Sequence, residues 1–171
     1  MANSKFSYVE RGFGQVEPNH LSAQRNGQIY AQLPMGVDML ENGQFAKYNY
    51  AEGEVNFAGD SEWMLVYNAV KIYGDYDTEA DYVMTKATVA NGPVVGVSTD
   101  VVPRLFKTNI GDIFTTNAIK EAEGIEVGTT VLKIDAEGCL STAGTSDMAW
   151  QVVKVYTMPD GQRGVKIMRI A

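Results

Sequence analysis

From Met35 onward no apolar run extends far before Gly, Asn or Asp interrupts it, and the interruptions recur about every ten residues. Runs this short cannot build the three-turn helices of an α protein, whereas even spacing of short strands and turns is the pattern of a sandwich or barrel. Strands are therefore predicted over residues 37–41, 44–50, 63–73, 82–89, 94–97, 104–107, 112–115, 130–135, 139–142, 150–157 and 164–170. One short helix is predicted over 117–123. Asn42-Gly43 reads as a two-residue type I′ hairpin loop. In Met158-Pro159-Asp160-Gly161, proline presets φ and glycine takes the left-handed position of a second turn. The expected fold is mainly β: a compact barrel or sandwich-like domain over 35–171.

Residues 1–34 lack this punctuation. Phe6, Tyr8, Phe13, Ile29 and Tyr30 are scattered among polar residues with neither a helical nor a strand period, which reads as an extended N-terminal arm free to order against a partner. The competing reading wraps the segment around its own core. The segment 41–45 followed by 59–66 weakly echoes 136–140 followed by 144–153: each places an acidic-Gly turn before a short strand and a polar loop before a tryptophan. Trp63 and Trp150 thus open the two most apolar strands, and they read as core anchors before ligand stackers.

The chain carries little that points to catalysis. His20 is the only histidine and lies in the expected arm, so a catalytic triad would rest on a segment unsuited to holding it. With one histidine and the single Cys139, which reads as a small buried residue, a zinc site would need carboxylates to complete it. Phosphate-loop, dinucleotide and nucleophile-elbow glycine patterns do not occur. Asp75, Asp77, Glu79 and Asp81 alternate along the chain, but an EF-hand would need Gly where Ala80 stands and Glu where Lys86 stands. That segment reads as a solvated edge. No enzyme, cofactor or metal is expected; a two-carboxylate hydrolase is the enzymatic alternative, though no carboxylate pair stands out.

The net charge of −7 arises entirely in residues 41–101, which hold ten acids against three bases. Such a field opposes binding to nucleic acid. The N-terminus has no basic-then-apolar signal pattern and no apolar run long enough to span a bilayer, so neither nucleic acid nor membrane is an expected partner, and synthesis in a cytoplasm is expected.

Four stretches, GQIYAQLP at 27–34, LENGQFAKY at 40–48, PRLFKTNIGD at 103–112 and WQVVKVY at 150–156, together resemble small structural proteins of tailed bacteriophages. The likeness extends from Gly12 to Ile170 and consists of turns and strands without diagnostic chemistry. It implies an auxiliary (decoration or cement) protein of the virion. Such a protein is made in the host bacterial cytoplasm and binds the major capsid protein on the outer surface of the assembled shell. It stabilises the capsid there, alone or as a homo-oligomer. A polar arm before a compact β-domain is also the layout of capsid cement proteins, whose arms can add a strand to a capsid edge; Phe6, Tyr8, Phe13, Ile29 and Tyr30 are the apolar residues with which this arm would bind there. The alternatives are a head–tail joining or tail protein, or a glycan-binding β-barrel that stacks a sugar on Trp63 or Trp150.

Overall fold

The computed structural model of the chain describes residues 4–10, 13–68, 83–85 and 102–171. The acidic alternation at 75–81 and the strand predicted over 94–97 lie outside the described residues. In chain order the first elements are β1 (Val16–His20), α1 (Ser22–Asn26), β2 (Ile29–Tyr30), β3 (Met39–Glu41), β4 (Phe45–Asn49), β5 (Glu54–Asn56) and β6 (Met64–Val66). They are followed by β7 (Val83–Thr85), β8 (Leu105–Phe106), β9 (Ile113–Thr116), β10 (Val131–Ile134), β11 (Leu140–Ser141), β12 (Ala149–Thr157) and β13 (Arg163–Arg169).

These strands form a six-stranded sheet, β1-β9-β13-β12-β10-β11, a five-stranded sheet, β2-β8-β6-β4-β5, and the pair β3-β7. All strand pairs are antiparallel. Residues directly opposite on antiparallel neighbours share a face, so register decides what the sheets can bury. On the five-stranded sheet Ile29, Phe106, Leu65 and Phe45 fall in one row. On the six-stranded sheet Phe114, Ile167 and Val152 fall in another. The two rows meet, with Trp150, Leu132 and Ile134, in the main core, giving a sandwich. Alternation sends Ala46, Met64, Val66 and Leu105 to the other face of the five-stranded sheet, where Met35, Leu40, Tyr48 and Val55 join them in a second core.

The N-terminal segment is built into this framework, which corrects the expectation of a free arm. Strand β1 pairs with β9 over four positions. Phe6, Tyr8, Phe13, Leu21 and Ala23 are all buried, and Ile29 and Tyr30 form β2 and are half-buried. Pro18 obscured β1 in the sequence. It is tolerated because β1 is an edge strand with only one neighbour to satisfy. The scattered aromatics have no period because each enters a different place: Tyr8 the main core, Phe6 a small cluster with Ala118 and Cys139.

Three further expectations change. Residues 117–123 form no helix, because their polar groups bond elsewhere: the Tyr8 amide donates to the Ile119 carbonyl, the Lys120 amide to the Leu140 carbonyl, and the Asn117 carboxamide accepts from the Gln15 amide. Asn42-Gly43 does not close a hairpin. Among the described residues positive φ occurs only at glycines, Gly43 among them, which rules out type I′; the turn carries the chain from β3 to β4 in a different sheet. Nor does the sequence echo give two equivalent units, since β4 pairs directly with β6 whereas β10 intervenes between β11 and β12. The two echoed turns instead touch: the Phe45 amide donates to the Gly138 carbonyl at 2.6 Å and the Gln44 carboxamide to the Glu137 carbonyl at 2.7 Å. The Met158–Gly161 turn closes the β12–β13 hairpin as expected, with Gly161 at φ 83°.

Candidate functional site

Of the two tryptophans, Trp150 lies at the centre of the main core and Trp63 packs against its edge, partly buried. Trp150 is completely buried, with ring centroids 5.1 Å from Phe114 and 5.7 Å from Phe45. Its indole N–H is the one buried side-chain polar atom without a hydrogen-bond partner among the described residues. Trp63 precedes β6, where alternation turns Leu65 alone into the main core, so its ring reaches only the rim. The Lys47 ammonium lies 4.6 Å from that ring's centroid.

His20 is exposed at the end of β1, opposite Ile113. The one group of possible metal ligands among the described residues is Asp135, Glu137 and Cys139, and the Lys120 ammonium already occupies it, 3.1 Å from Asp135 and 2.6 Å from Glu137. Those two carboxylates push the Lys120 pKa well above its ordinary value. Burial, reinforced by Asp135, pushes the Cys139 thiol up to about 12, so it is neither a ready nucleophile nor a ready ligand. No helix among the described residues is long and apolar enough to cross a membrane.

Buried polar residues knit the N-terminal segment to the sheets. Glu41, fully buried, accepts from the Ser4 hydroxyl and the Lys5 and Gly14 amides. Asp112 accepts from the Ser22 amide and hydroxyl and from the Asn109 amide. Each is a carboxylate satisfied by several donors, the condition for burying such a group. Neither was singled out in the sequence, where nothing separates a structural acid from a solvated one.

Among the described residues, two surfaces are left with chemistry to offer. The first is the outer face of the six-stranded sheet. Register places Glu17, Thr115, Lys166 and Lys154 in one outward row and His20, Ile113, Met168, Gln151 and Val131 in the next. The Lys154 and Lys166 ammoniums lie 5.5 and 5.4 Å from the centroid of the Tyr156 ring. The Tyr156 hydroxyl donates to Glu17 at 2.9 Å and meets the Thr115 hydroxyl at 2.8 Å, which holds the ring in place. Among the described residues neither lysine has a carboxylate at ion-pair distance.

The second is a groove of about 230 Å³ on the opposite side of the molecule, lined by Tyr30, Tyr48, Tyr50, Ser61, Glu62, Met64 and Lys107. Strands β2, β4 and β6 deliver Tyr30, Tyr48 and Met64 to the face turned away from the main core. The tyrosines stand edge to face, Tyr30–Tyr48 at 6.5 Å and Tyr48–Tyr50 at 5.8 Å. Burial raises the pKa of the central Tyr48. The Tyr48 amide donates to the Ser61 hydroxyl at 2.7 Å, and Lys107 pairs with Glu62 at 3.3 Å. The sequence reading missed this groove because its residues come from four separated segments.

No known family, curated protein or solved structure matches the chain.

Proposed function

We propose that this chain is a structural virion protein that binds the assembled shell of a tailed phage as a decoration protein and stabilises it. The outer face of its six-stranded sheet is the docking surface, and an acidic patch on the major capsid protein is the partner. The observation that carries the reading is the Lys154–Tyr156–Lys166 arrangement. In a chain of net charge −7, this face gathers two ammoniums without ion-pair partners among the described residues. Packing against Tyr156 restricts both lysine side chains before binding, so less rotamer entropy is lost on docking.

The neighbouring row, with half-buried Ile113 and Met168 and exposed Val131, supplies apolar contact beside the charges. Individual surface ion pairs contribute little, so affinity for a shell comes from that apolar area together with many repeated copies. The likeness of residues 150–156 to phage structural proteins adds support, because Lys154 and Tyr156 both lie in that stretch.

The test is electron microscopy of particles carrying labelled protein. Decoration predicts hundreds of regularly arranged copies over the shell; a handful at one vertex would make the chain a head–tail joining component instead. The double variant Lys154→Glu, Lys166→Glu is expected to leave shells bare while its melting transition stays close to wild type.

A further inference from the structure

We propose that the groove formed by Tyr30, Tyr48, Tyr50, Glu62 and Lys107 is a binding site for a neutral sugar ring, independent of the shell-docking face. Tyr50 is 70 % exposed, beside a packed Tyr48 that supports it edge-on at 5.8 Å. A large ring held open to water in this way offers an apolar platform at small cost in side-chain entropy. Next to it the Glu62 carboxylate accepts and the Lys107 ammonium donates, 3.3 Å apart and both partly exposed.

That combination selects among ligand classes. A pyranose has a C–H face that stacks on a ring and a rim of hydroxyls that both donate and accept, so adjacent hydroxyls can bridge Glu62 and Lys107. An aliphatic chain would strip water from the ion pair and return nothing. An anion would be opposed by Glu62 and a cation by Lys107. The volume, about 230 Å³, lies below that of pockets that enclose drug-sized ligands and suits a single ring. The glycan reading of the sequence placed stacking on Trp63 or Trp150. Trp150 is sealed in the core, and Trp63 is capped by Lys47, so the stacking surface belongs to the tyrosines.

The experiment is a titration of the isotope-labelled full chain, followed by amide chemical shifts, with methyl glucoside, methyl galactoside and N-acetylglucosamine, and with glucuronate as the charged comparison. At least one neutral sugar is expected to give saturable shifts centred on residues 48–50, 61–64 and 107, with millimolar affinity, and glucuronate to bind more weakly. Tyr50→Ala is expected to weaken binding by about tenfold, the value of one aromatic contact. It should leave the melting transition unchanged, because the ring is exposed. Glu62→Gln, which keeps the shape and removes the charged acceptor, is expected to weaken it as well. Absence of saturable shifts with all three sugars at tens of millimolar, shifts centred elsewhere, or full affinity in Tyr50→Ala would overturn the proposal. None of these outcomes involves Lys154 or Lys166, so failure here is distinguishable from failure of shell binding.

Discussion

Replacing Trp150 by alanine isolates how the sandwich is held together. The side chain is fully buried between Phe45 of one sheet and Phe114 of the other. Truncating a large aromatic in such a site costs about 3–5 kcal/mol, the transfer of the ring plus the cavity it leaves. Against a typical domain stability of about 5–15 kcal/mol this is roughly a fifth or more of the total. The melting temperature should fall by about 10 °C for a chain of this size. The indole N–H has no partner among the described residues, so its removal sacrifices no hydrogen bond to them. Trp150→Phe should therefore cost only the lost volume, about 1–2 kcal/mol. Trp63→Ala should cost less, about 2 kcal/mol, because the ring is only partly buried where it packs against the rim of the core. Urea titration followed by far-ultraviolet circular dichroism reads all three without relying on tryptophan emission. A Trp150→Ala loss below about 1 kcal/mol, or equal losses at the two tryptophans, would refute the assignment of Trp150 as the anchor between the sheets.

Deleting residues 1–34 removes β1, β2 and buried Phe6, Tyr8, Phe13, Leu21 and Ala23, so the remaining chain should lose its cooperative melt; a native-like melt would restore the arm reading. Gly138 sits at φ 76°, where an added Cβ would strike the Phe45 carbonyl, whereas Gly124 at φ 67° faces open space. Gly138→Ala should therefore destabilise well beyond the roughly 1 kcal/mol of left-handed strain expected for Gly124→Ala, as denaturant titration of the two variants will show. Burial raises the Cys139 thiol from 9.0 to about 12 and raises Tyr8 and Tyr48 above 10.0. A group with a raised folded-state pKa stabilises fully below its unfolded pKa and loses that contribution above it. The contribution of these three groups should thus be constant through neutral pH and decline from pH 9 upward, and the loss of stability above pH 9 should be shallower in Cys139→Ala.

Strands with a buried alternate face could be read directly. In β12 and β13, buried Trp150 and Val152 flank Gln151 and buried Val165 and Ile167 flank Lys166, and the Pro-Asp-Gly turn between the strands specifies its own geometry. The same pattern does not reveal partners. Nothing local states that β4 joins β6 in one sheet while the similar β11 joins β10 in the other, or that Pro18 sits harmlessly on an edge. The site was less legible still. Lys154, Tyr156 and Lys166 are neighbours only because a bulge between Val152 and Lys154 sets the β12–β13 register, and Tyr30 and Tyr48 meet only through the strand order β2-β8-β6-β4. Trp63 and Trp150 look alike in sequence because depth in the core depends on where each strand begins relative to its neighbours.

Binding of a phage shell by the lysine-bearing face of the six-stranded sheet is the proposed function. Its most direct measurement is co-sedimentation of the full chain with shells stripped of decoration, as a function of salt and with the Lys154→Glu, Lys166→Glu variant. Saturable binding by the wild-type chain that weakens as salt rises is expected, with a loss of at least about tenfold in the variant, since each repeated contact forfeits two favourable charges and gains two repulsive ones. Wild-type binding that ignores salt, or a variant that binds as tightly as the parent, would contradict it.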